Sequence, residues 1–269
     1  MLRSMYSGVS GMKGFQTKLD VIGNNIANVN TTGFKSSRVM FKDILSQTSS
    51  GASAPDGTTT AGQNAKQVGL GVSVSSIDTL HLPGSAMTTN NPTDLRINGD
   101  GFFLVKMNDA QEVPYLTRAG DFHVDANRNL VTSDGFFVVD TGGTPITLSE
   151  DVASFSISQD GTIVQQLQDG TTDNALQIGV ARVANTEGLE KIGGSLYRTT
   201  VNSNLEELEI GTANADGLGA IISGQLEMSN VDLTGEFTEM IVAQRGFQAN
   251  SRIITTSDEV LQEVVNLKR

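Results

Sequence analysis

Apolar side chains recur at helical spacing at both ends of this chain, and this arrangement limits the folds that it can adopt. Near the N-terminus they stand three or four residues apart, at Leu2, Met5, Val9, Met12, Phe15, Leu19, Ile22, Ile26 and Val29. This spacing predicts an α-helix of about 28 residues, ~42 Å long, with one narrow apolar face. Gly33 is expected to end the helix.

The C-terminal pattern repeats every seven residues, at Met240, Phe247, Ile254 and Leu261. The same stripe continues at Leu233, Phe237 and Val265. Polar residues take alternate positions along the seam, at Gln244, Ser251 and Asp258. Residues 229–232 (SNVD) resemble a capping box, so a helix is predicted to begin there and to run to about Leu267.

The two helices are expected to pack on each other. A helix with one narrow apolar stripe is not stable alone, because helix stability comes mostly from tertiary packing. Proline, which breaks helix interiors, is absent from residues 1–54 and 146–269. We therefore predict a coiled coil of the two ends, forming a discontinuous helical domain of residues 1–30 and 229–269. Glutamates beside the stripe, Glu239 among them, are in a position to meet Lys13 and Lys18.

The middle of the chain has two different patterns. Residues 46–66 are rich in Ser, Thr, Gly and Ala, which is typical of a linker, and residues 31–67 are predicted to be an extended excursion. From about residue 68 the apolar period becomes two, and short segments are separated by turn residues. The fold class predicted is α+β, with paired terminal helices and a central, mostly antiparallel β domain over residues 68–228.

Composition excludes several classes of protein. The formal net charge is −12, which argues against a nucleic-acid partner, and there is no cysteine for disulfides or thiolate chemistry. No run of about 18 apolar residues predicts a membrane-spanning helix, so no membrane insertion is expected. Serines and glycines interrupt the N-terminal stretch, so a cleaved signal peptide is not expected either. Such a chain is cytoplasmic, or is exported with its N-terminus intact.

One cluster of residues has the composition of a metal site. Asp121, His123 and Asp125 alternate along a predicted strand and would share one face. An exposed polar face on an edge strand is the preferred interpretation. The stretch from Asp125 begins like a calcium loop, but Leu130 and Phe136 stand where that loop needs glycine and an acid. We therefore predict that the chain has no catalytic residues and binds no metal or cofactor. We do not expect it to be an enzyme.

Four asparagines lie beside the N-terminal stripe, at Asn24, Asn25, Asn28 and Asn30. Neutral amides donate and accept hydrogen bonds without the desolvation cost of a charge, which suits a buried boundary between subunits. Thr31, Thr32 and Gly33 would then turn the chain out of the helix. On this hypothesis Asn25→Leu impairs assembly more than it impairs folding of the monomer.

These segments resemble a known family. "IGNNIANVNTTGFK" (residues 22–35) and residues 229–269, which contain "MIVAQRGFQANSRII", are similar to the terminal signatures of bacterial flagellar rod and hook proteins. "DLRINGDGFFLV" and "YLTRAGDFHVDANRNLVTSDGFFVV" resemble the central β domain of that family. The resemblance covers nearly the whole chain except residues 46–66. The C-terminal motif most resembles hook proteins, and there is no room for the additional outer domain that many hook proteins carry.

The resemblance implies self-assembly into a helical homopolymer, with the paired helices as an inner tube. The assembly interface would use the helical stripe and the motif, namely Leu19, Ile22, Asn24, Asn25, Ile26, Asn28, Val29, Phe237, Met240, Gln244, Phe247, Asn250, Ile254, Leu261 and Val265. Implied partners are the distal rod and hook–filament junction proteins, the hook cap and the flagellar type III export apparatus. Phe41 and Leu45 match an export motif of early substrates.

Three functions follow from these observations. The first is a short hook protein, an extracellular, bending joint that transmits torque between rod and filament. The second is a distal rod subunit of the basal body. The third is a secreted β-domain adhesin or enzyme with coiled-coil ends.

Overall fold

The computed structural model of this chain describes residues 2–54, 62–108, 111, 113–204, 208–215 and 217–267. The chain divides into two compact units. The first comprises Met1–Ala27, Ser37–Thr79 and Asp232–Arg269, and the second comprises Asn28–Ser36 and Leu80–Val231. In the described residues two α-helices lie at the ends of the chain and antiparallel strands lie between them, so the fold class is α+β.

The helices of the first unit are α1 (Leu2–Ala27) and α2 (Leu233–Asn266). The capping box predicted at residues 229–232 is displaced by three residues. Asp232 is the N-cap, because its carboxylate accepts a hydrogen bond from the Thr234 amide at 3.0 Å. Gly33 has a left-handed φ of 66° but lies beyond the end of α1, in the second unit.

Small residues bring α1 and α2 close together. Ala243 of α2 is fully buried. A Cβ atom added to Gly11 would lie 2.9 Å from the Asn250 amide nitrogen, and one added to Gly246 would lie 2.6 Å from the Phe15 ring. Glycine costs about 1 kcal/mol in a helix interior relative to alanine. At these two positions close packing offsets that cost.

The described residues of the first unit also form four strands: β1 (Ser37–Asp43), β2 (Ser46–Ser50), β3 (Lys66–Gly69) and β4 (Val72–Thr79). β1 pairs with β4 and β2 pairs with β3. Residues 46–50 and 66–79 therefore belong to ladders of the helical unit, whereas the sequence predicted a linker and the start of the β domain. Residues 55–61 of the predicted linker lie outside the described part. The period of two predicts a strand, but it does not say which core the strand joins.

The second unit contains the remaining strands, β5 (Ala86–Thr88), β6 (Leu95–Asn98), β7 (Phe102–Lys106), β8 (Tyr115–Thr117), β9 (Phe122–Val124), β10 (Leu130–Thr132), β11 (Phe137–Val138), β12 (Val152–Ile157), β13 (Thr162–Leu167), β14 (Thr172–Gln177), β15 (Gly179–Arg182), β16 (Glu190–Gly193), β17 (Leu196–Arg198), β18 (Glu209–Thr212), β19 (Ala220–Ser223) and β20 (Gln225–Glu227).

The largest sheet runs β16-β17-β8-β7-β11-β10-β9, and β15 joins β7 and β18. β7 is buried along its whole length, and the Phe103 and Phe122 rings meet edge to face at 5.2 Å in the core. Apolar burial of this kind is the main stabilising contribution to the unit.

Candidate assembly surface

Asn25, one of the two motif asparagines that lie in the first unit, makes three hydrogen bonds through its side chain. It is 1% exposed. Its side-chain nitrogen donates to the Ser37 carbonyl and to Glu236 Oε1, both at 2.9 Å, and its oxygen accepts from the Ser37 amide at 3.0 Å. The side chain therefore links α1 to the start of β1 and to the first turn of α2.

An ion pair also joins the two helices. Lys18 Nζ lies 2.9 Å from Glu239 Oε2, one of the contacts expected across the helix pair. Glu239 is well exposed, so the pair adds at most about 1 kcal/mol to stability. Its main effect is on the alignment of the two helices.

Two rows of apolar side chains lie on either side of the face of α2 that packs on α1, and the first row reaches almost to the opposite side of the helix at Ile241. Each residue turns the helix by about 100°, so the rows lie on opposite sides of Ala243. One row consists of Leu233, Phe237 and Ile241, and the other of Val242, Ile253, Val260 and Val264. Their exposed fractions run from 37% for Leu233 to 59% for Ile241. Several exposed apolar side chains on one helix are typical of a site of protein association.

Further apolar side chains are exposed elsewhere in the first unit. On α1 they are Tyr6 and Val9, and on the strands and their connections they are Met40, Phe41, Leu45, Val68, Leu70, Val72 and Ile77. A helix that is apolar on several sides is normally covered on several sides. The first unit thus offers more than one face to neighbouring molecules.

The predicted interface residues fall into three groups. Ile22 and Asn25 are buried inside the first unit. Partly buried positions are Leu19, Ile26, Met240, Asn250, Ile254 and Leu261, together with Asn28 and Val29 of the second unit. Exposed positions are Asn24, Phe237, Gln244, Phe247 and Val265. Participation of these residues in contacts between subunits stays a prediction.

The polar seam positions are shifted from those predicted. Of the three predicted positions, Gln244 and Asp258 are exposed and Ser251 is partly buried, whereas Ala243 is buried and Asn250 and Ser257 are partly buried. The apolar residues of α2 repeat every seven residues, as predicted, but the face of α2 that packs on α1 is rotated about the helix axis relative to the predicted face. A Cβ atom added to Gly246 would lie 2.6 Å from the Phe15 ring, so glycine allows the close approach of α1 at that position.

Phe41 and Leu45, the two anchors of the predicted export motif, have different surroundings. The Phe41 ring lies 6.0 Å from the Phe15 ring and against Gly14, whereas Leu45 is 82% exposed. Phe41 thus contributes to packing of the folded unit. Its role in export stays a prediction.

The acidic and histidine residues around β9 have local hydrogen bonds. Asp121 Oδ2 accepts from the Ser133 hydroxyl at 3.0 Å, and Asp125 Oδ1 accepts from the Ala126 amide at 2.7 Å. His123 lies on β9, at the end of the large sheet, with its side chain exposed. Across the described ranges no group of three or more metal-binding side chains is arranged to hold an ion.

A buried ionic cluster in the second unit was not predicted. Glu227 is 1% exposed and lies 2.6 Å from Lys35 Nζ and 3.3 Å from an Arg118 nitrogen. Lys35 also donates to the Leu82 carbonyl at 2.7 Å, and the Gly84 amide donates to Glu227 Oε1 at 2.9 Å. The cluster joins segments that are far apart in the sequence. No local sequence pattern predicts this cluster, although Lys35 is the last residue of the motif at residues 22–35.

His81 lies beside this cluster between two aromatic rings. Its ring centroid is 5.6 Å from that of Phe102 and 5.3 Å from that of Tyr197. Burial, together with the positive charges of Lys35, Lys191 and Arg118, lowers the pKa of His81 to about 4. The imidazole is therefore neutral at physiological pH, and the group serves packing rather than acid–base chemistry.

Three segments of the chain match known protein families. Residues 5–35 match the family described as "Flagella basal body rod protein". Residues 96–165 match "Flagellar hook protein FlgE/F/G D1 domain", and residues 222–267 match "Flagellar basal body rod FlgEFG protein C-terminal".

In the described part of the chain neither helix combines the length and hydropathy needed to cross a bilayer.

Individual relatives agree with these matches. The chain is 55% identical to the flagellar basal-body rod protein FlgG of Bacillus subtilis over the full length of both proteins. It is 37% identical to the FlgG rod protein of Borreliella burgdorferi, and 30% identical to the FlgE hook protein of the same organism, again over the full length of each. The chain belongs to the family of flagellar basal-body rod and hook proteins.

Proposed function

We propose that this protein is a distal rod subunit of the flagellar basal body rather than a hook subunit. Its alignment with the Bacillus subtilis rod protein spans 275 positions, close to its own length. The alignment with the Borreliella burgdorferi hook protein is stretched over 447 positions, so that hook protein has long segments without a counterpart here. The similarity in length and identity supports the rod interpretation, which was the alternative when the sequence was considered alone.

The exposed apolar rows of α2 support a function in self-assembly. A subunit that presents different patches to its neighbours forms heterologous contacts, and these propagate as an open helical polymer. The row with Ile241 and the row with Val264 would each contact a different neighbouring copy. In this arrangement α1 and α2 pair as a coiled coil in an inner tube.

The other parts of the proposal follow from the family. The subunit would lie in the basal body, contact the preceding rod protein and the hook protein at the two ends of its own segment, and pass through the type III export apparatus before assembly. It would act as a mechanical element without catalysis. Tight apolar contacts between helices suit a stiff shaft, because packed cores resist deformation.

The apolar rows provide the test. Ile241→Ser with Val264→Ser should leave the monomer folded, since both side chains are more than half exposed, and should prevent polymerisation. The matched control is Val113→Ser with Val201→Ser, which changes two exposed valines of the second unit. Sedimentation and electron microscopy of the purified full-length protein would report polymer formation. Tubes formed by the first variant at the wild-type concentration would exclude an assembly role for these rows.

The rod and hook functions can be distinguished by the shape of the polymer and by the structure that a strain lacking the protein builds. A rod subunit should form straight tubes, and a strain lacking it should stop before any hook appears. Curved or supercoiled tubes, or a strain that builds a complete rod without a hook, would favour the hook function.

A further inference from the structure

The net charge of the chain lies entirely in the second unit. The first unit, Met1–Ala27, Ser37–Thr79 and Asp232–Arg269, carries ten Lys or Arg and ten Asp or Glu residues, so its formal charge is zero. The second unit, Asn28–Ser36 and Leu80–Val231, carries eight basic and twenty acidic residues. Its formal charge of −12 is therefore that of the whole chain.

One part of the second unit has acidic residues without any basic residue. Residues 129–181 contain seven Asp or Glu and no Lys or Arg, and they include the three-stranded sheet β12-β13-β14. Asp151 and Asp169 lie near one end of this sheet, since the Gln168 amide donates to the Asp151 carbonyl at 2.9 Å. Asp160 lies in the turn between β12 and β13, at the other end, and all three aspartates are exposed. Both ends of the sheet therefore present negative charge to solvent.

This charge acts between copies when the protein assembles. Each copy that attaches to a polymer through its helices also adds a second unit of charge −12, and like charges repel. The repulsion extends over the Debye length, which is about 30 Å at 0.01 M salt and about 8 Å at 0.15 M. At low salt it therefore acts between neighbouring copies whatever the detail of their contact. The first unit has no net charge, so the attraction between its apolar rows depends little on salt in this range.

We propose that the charge of the second unit opposes self-assembly, and that ionic strength thereby sets the concentration at which the subunits polymerise. The inference rests on the proposed self-assembly and adds its regulation. Apolar contacts of the helical unit drive association, and the charged unit keeps free copies apart at low salt, since a net charge far from zero keeps proteins monomeric. An interface held by complementary charges would have the opposite salt dependence, because salt screens attraction as well as repulsion.

The first experiment measures the polymerisation threshold of the full-length wild-type protein by sedimentation in sodium chloride. Between about 0.01 M and about 0.15 M salt the threshold should fall by about tenfold or more, because the Debye length becomes shorter than the separation of most charges on neighbouring copies. A threshold that is constant or rises with salt would overturn the inference and leave self-assembly intact. Failure of the wild-type protein to polymerise at any salt concentration would instead remove the proposed function.

The second experiment changes the charge of the second unit in both directions. D151N/D160N/D169N/D173N removes four negative charges, and N127D/Q159E/Q168E/N174D adds four at exposed positions. At about 0.01 M salt the first variant should polymerise at a concentration about fivefold or more below the wild-type threshold, and the second at a concentration about fivefold or more above it. Any other order of the three thresholds would overturn the inference.

Two controls separate charge from other effects of these substitutions. At about 1 M salt the Debye length is about 3 Å, so the three thresholds should agree, which also shows that both variants are folded. The matched variant D151E/D160E/D169E/D173E keeps every charge and should follow the wild type at all salt concentrations. A shift of its threshold equal to that of the amide variant would overturn the inference, because side-chain contacts rather than charge would then control assembly.

Discussion

The side-chain amide of Asn25 donates a hydrogen bond to Glu236 Oε1 at 2.9 Å, and this bond joins residues 211 positions apart. With the two bonds to Ser37, it satisfies the amide group of Asn25 within a single subunit. The motif asparagine that sequence considerations assigned to a boundary between subunits thus has partners inside its own chain. Asn25 is therefore expected to connect α1 and α2 to β1.

Asn25→Leu should lower the stability of the first unit. Three hydrogen bonds are lost and Glu236 loses a donor, so the free energy of unfolding should fall by about 2–3 kcal/mol. Denaturation by urea, below the polymerisation threshold, measures the change. Asn30→Leu, at an exposed position, is the control and should change stability by about 0.5 kcal/mol or less. Unchanged stability of Asn25→Leu with lost polymerisation would restore the interpretation as a subunit boundary.

Glu236 should make the first unit more stable in mild acid. Burial raises the pKa of Glu236 above 4.5, aided by Glu239 and Asp232 and opposed by the Asn25 hydrogen bond and Lys18. The folded state therefore holds the proton more tightly than the unfolded state. The stabilisation is complete below pH 4.5 and is lost as the pH rises through the raised pKa.

Glu236→Gln removes this titration while it keeps an acceptor for Asn25. The difference in unfolding free energy between wild type and variant should therefore change as the pH rises from 4.5 through the raised pKa of Glu236, and should level off above that pKa. Denaturation series at several pH values report it. A difference that is constant across this range would contradict the prediction.

Two glycines of the helices should respond oppositely to alanine. A Cβ at Gly246 would lie 2.6 Å from the Phe15 ring, which has to move, whereas a Cβ at Gly23 has no atom within 4 Å. Gly246→Ala should cost about 1–3 kcal/mol, and Gly23→Ala should gain about 0.5–1 kcal/mol from higher helix propensity. Thermal unfolding of the two variants measures both. Equal effects would mean that α1 and α2 do not approach closely at Gly246.

The ionic cluster of the second unit should be sensitive to the loss of its single acid. Glu227→Gln leaves Lys35 and Arg118 as buried cations without a counter-charge, and removing one member of such a pair costs about 3–5 kcal/mol. Arg128→Ala, which breaks the exposed pair with Glu150, is the control and should cost about 1 kcal/mol or less. Comparable losses in the two variants would show that the cluster is not desolvated.

His81 should destabilise the second unit as the pH falls. Its pKa of about 4 lies below the ordinary 6.5, so the folded state resists protonation. The corresponding stability is complete above pH 6.5 and is lost as the pH falls from 6.5 to about 4. His81→Phe keeps an aromatic ring in edge contact with Phe102 and Tyr197 and should abolish this dependence.

The imidazole titration can be followed directly by NMR. The chain has one other histidine, His123, so His123→Gln leaves a single imidazole signal to assign. A midpoint near 6.5 for His81 would contradict its burial among positive charges.

Local patterns in the sequence were sufficient to predict the main secondary-structure elements and to identify the protein family. The three- and four-residue steps predicted α1 and α2 to within a few residues, since a helix needs only neighbours along the chain to define its apolar face. Alternation and turn residues likewise predicted an antiparallel β region. The terminal motifs were sufficient for the flagellar rod and hook family, but they did not separate rod from hook, because both groups carry them.

The tertiary structure decided which segments belong together and which polar groups meet. Strands β1 to β4 belong to the same unit as the two helices, although their alternation resembles that of the second unit. Glu227 meets Lys35 from 192 positions away, and Asn25 meets Glu236 from 211. Such pairs leave no periodic trace in a sequence. Their energies depend on distance and burial in the folded chain, and these quantities exist only once packing has brought distant segments into contact.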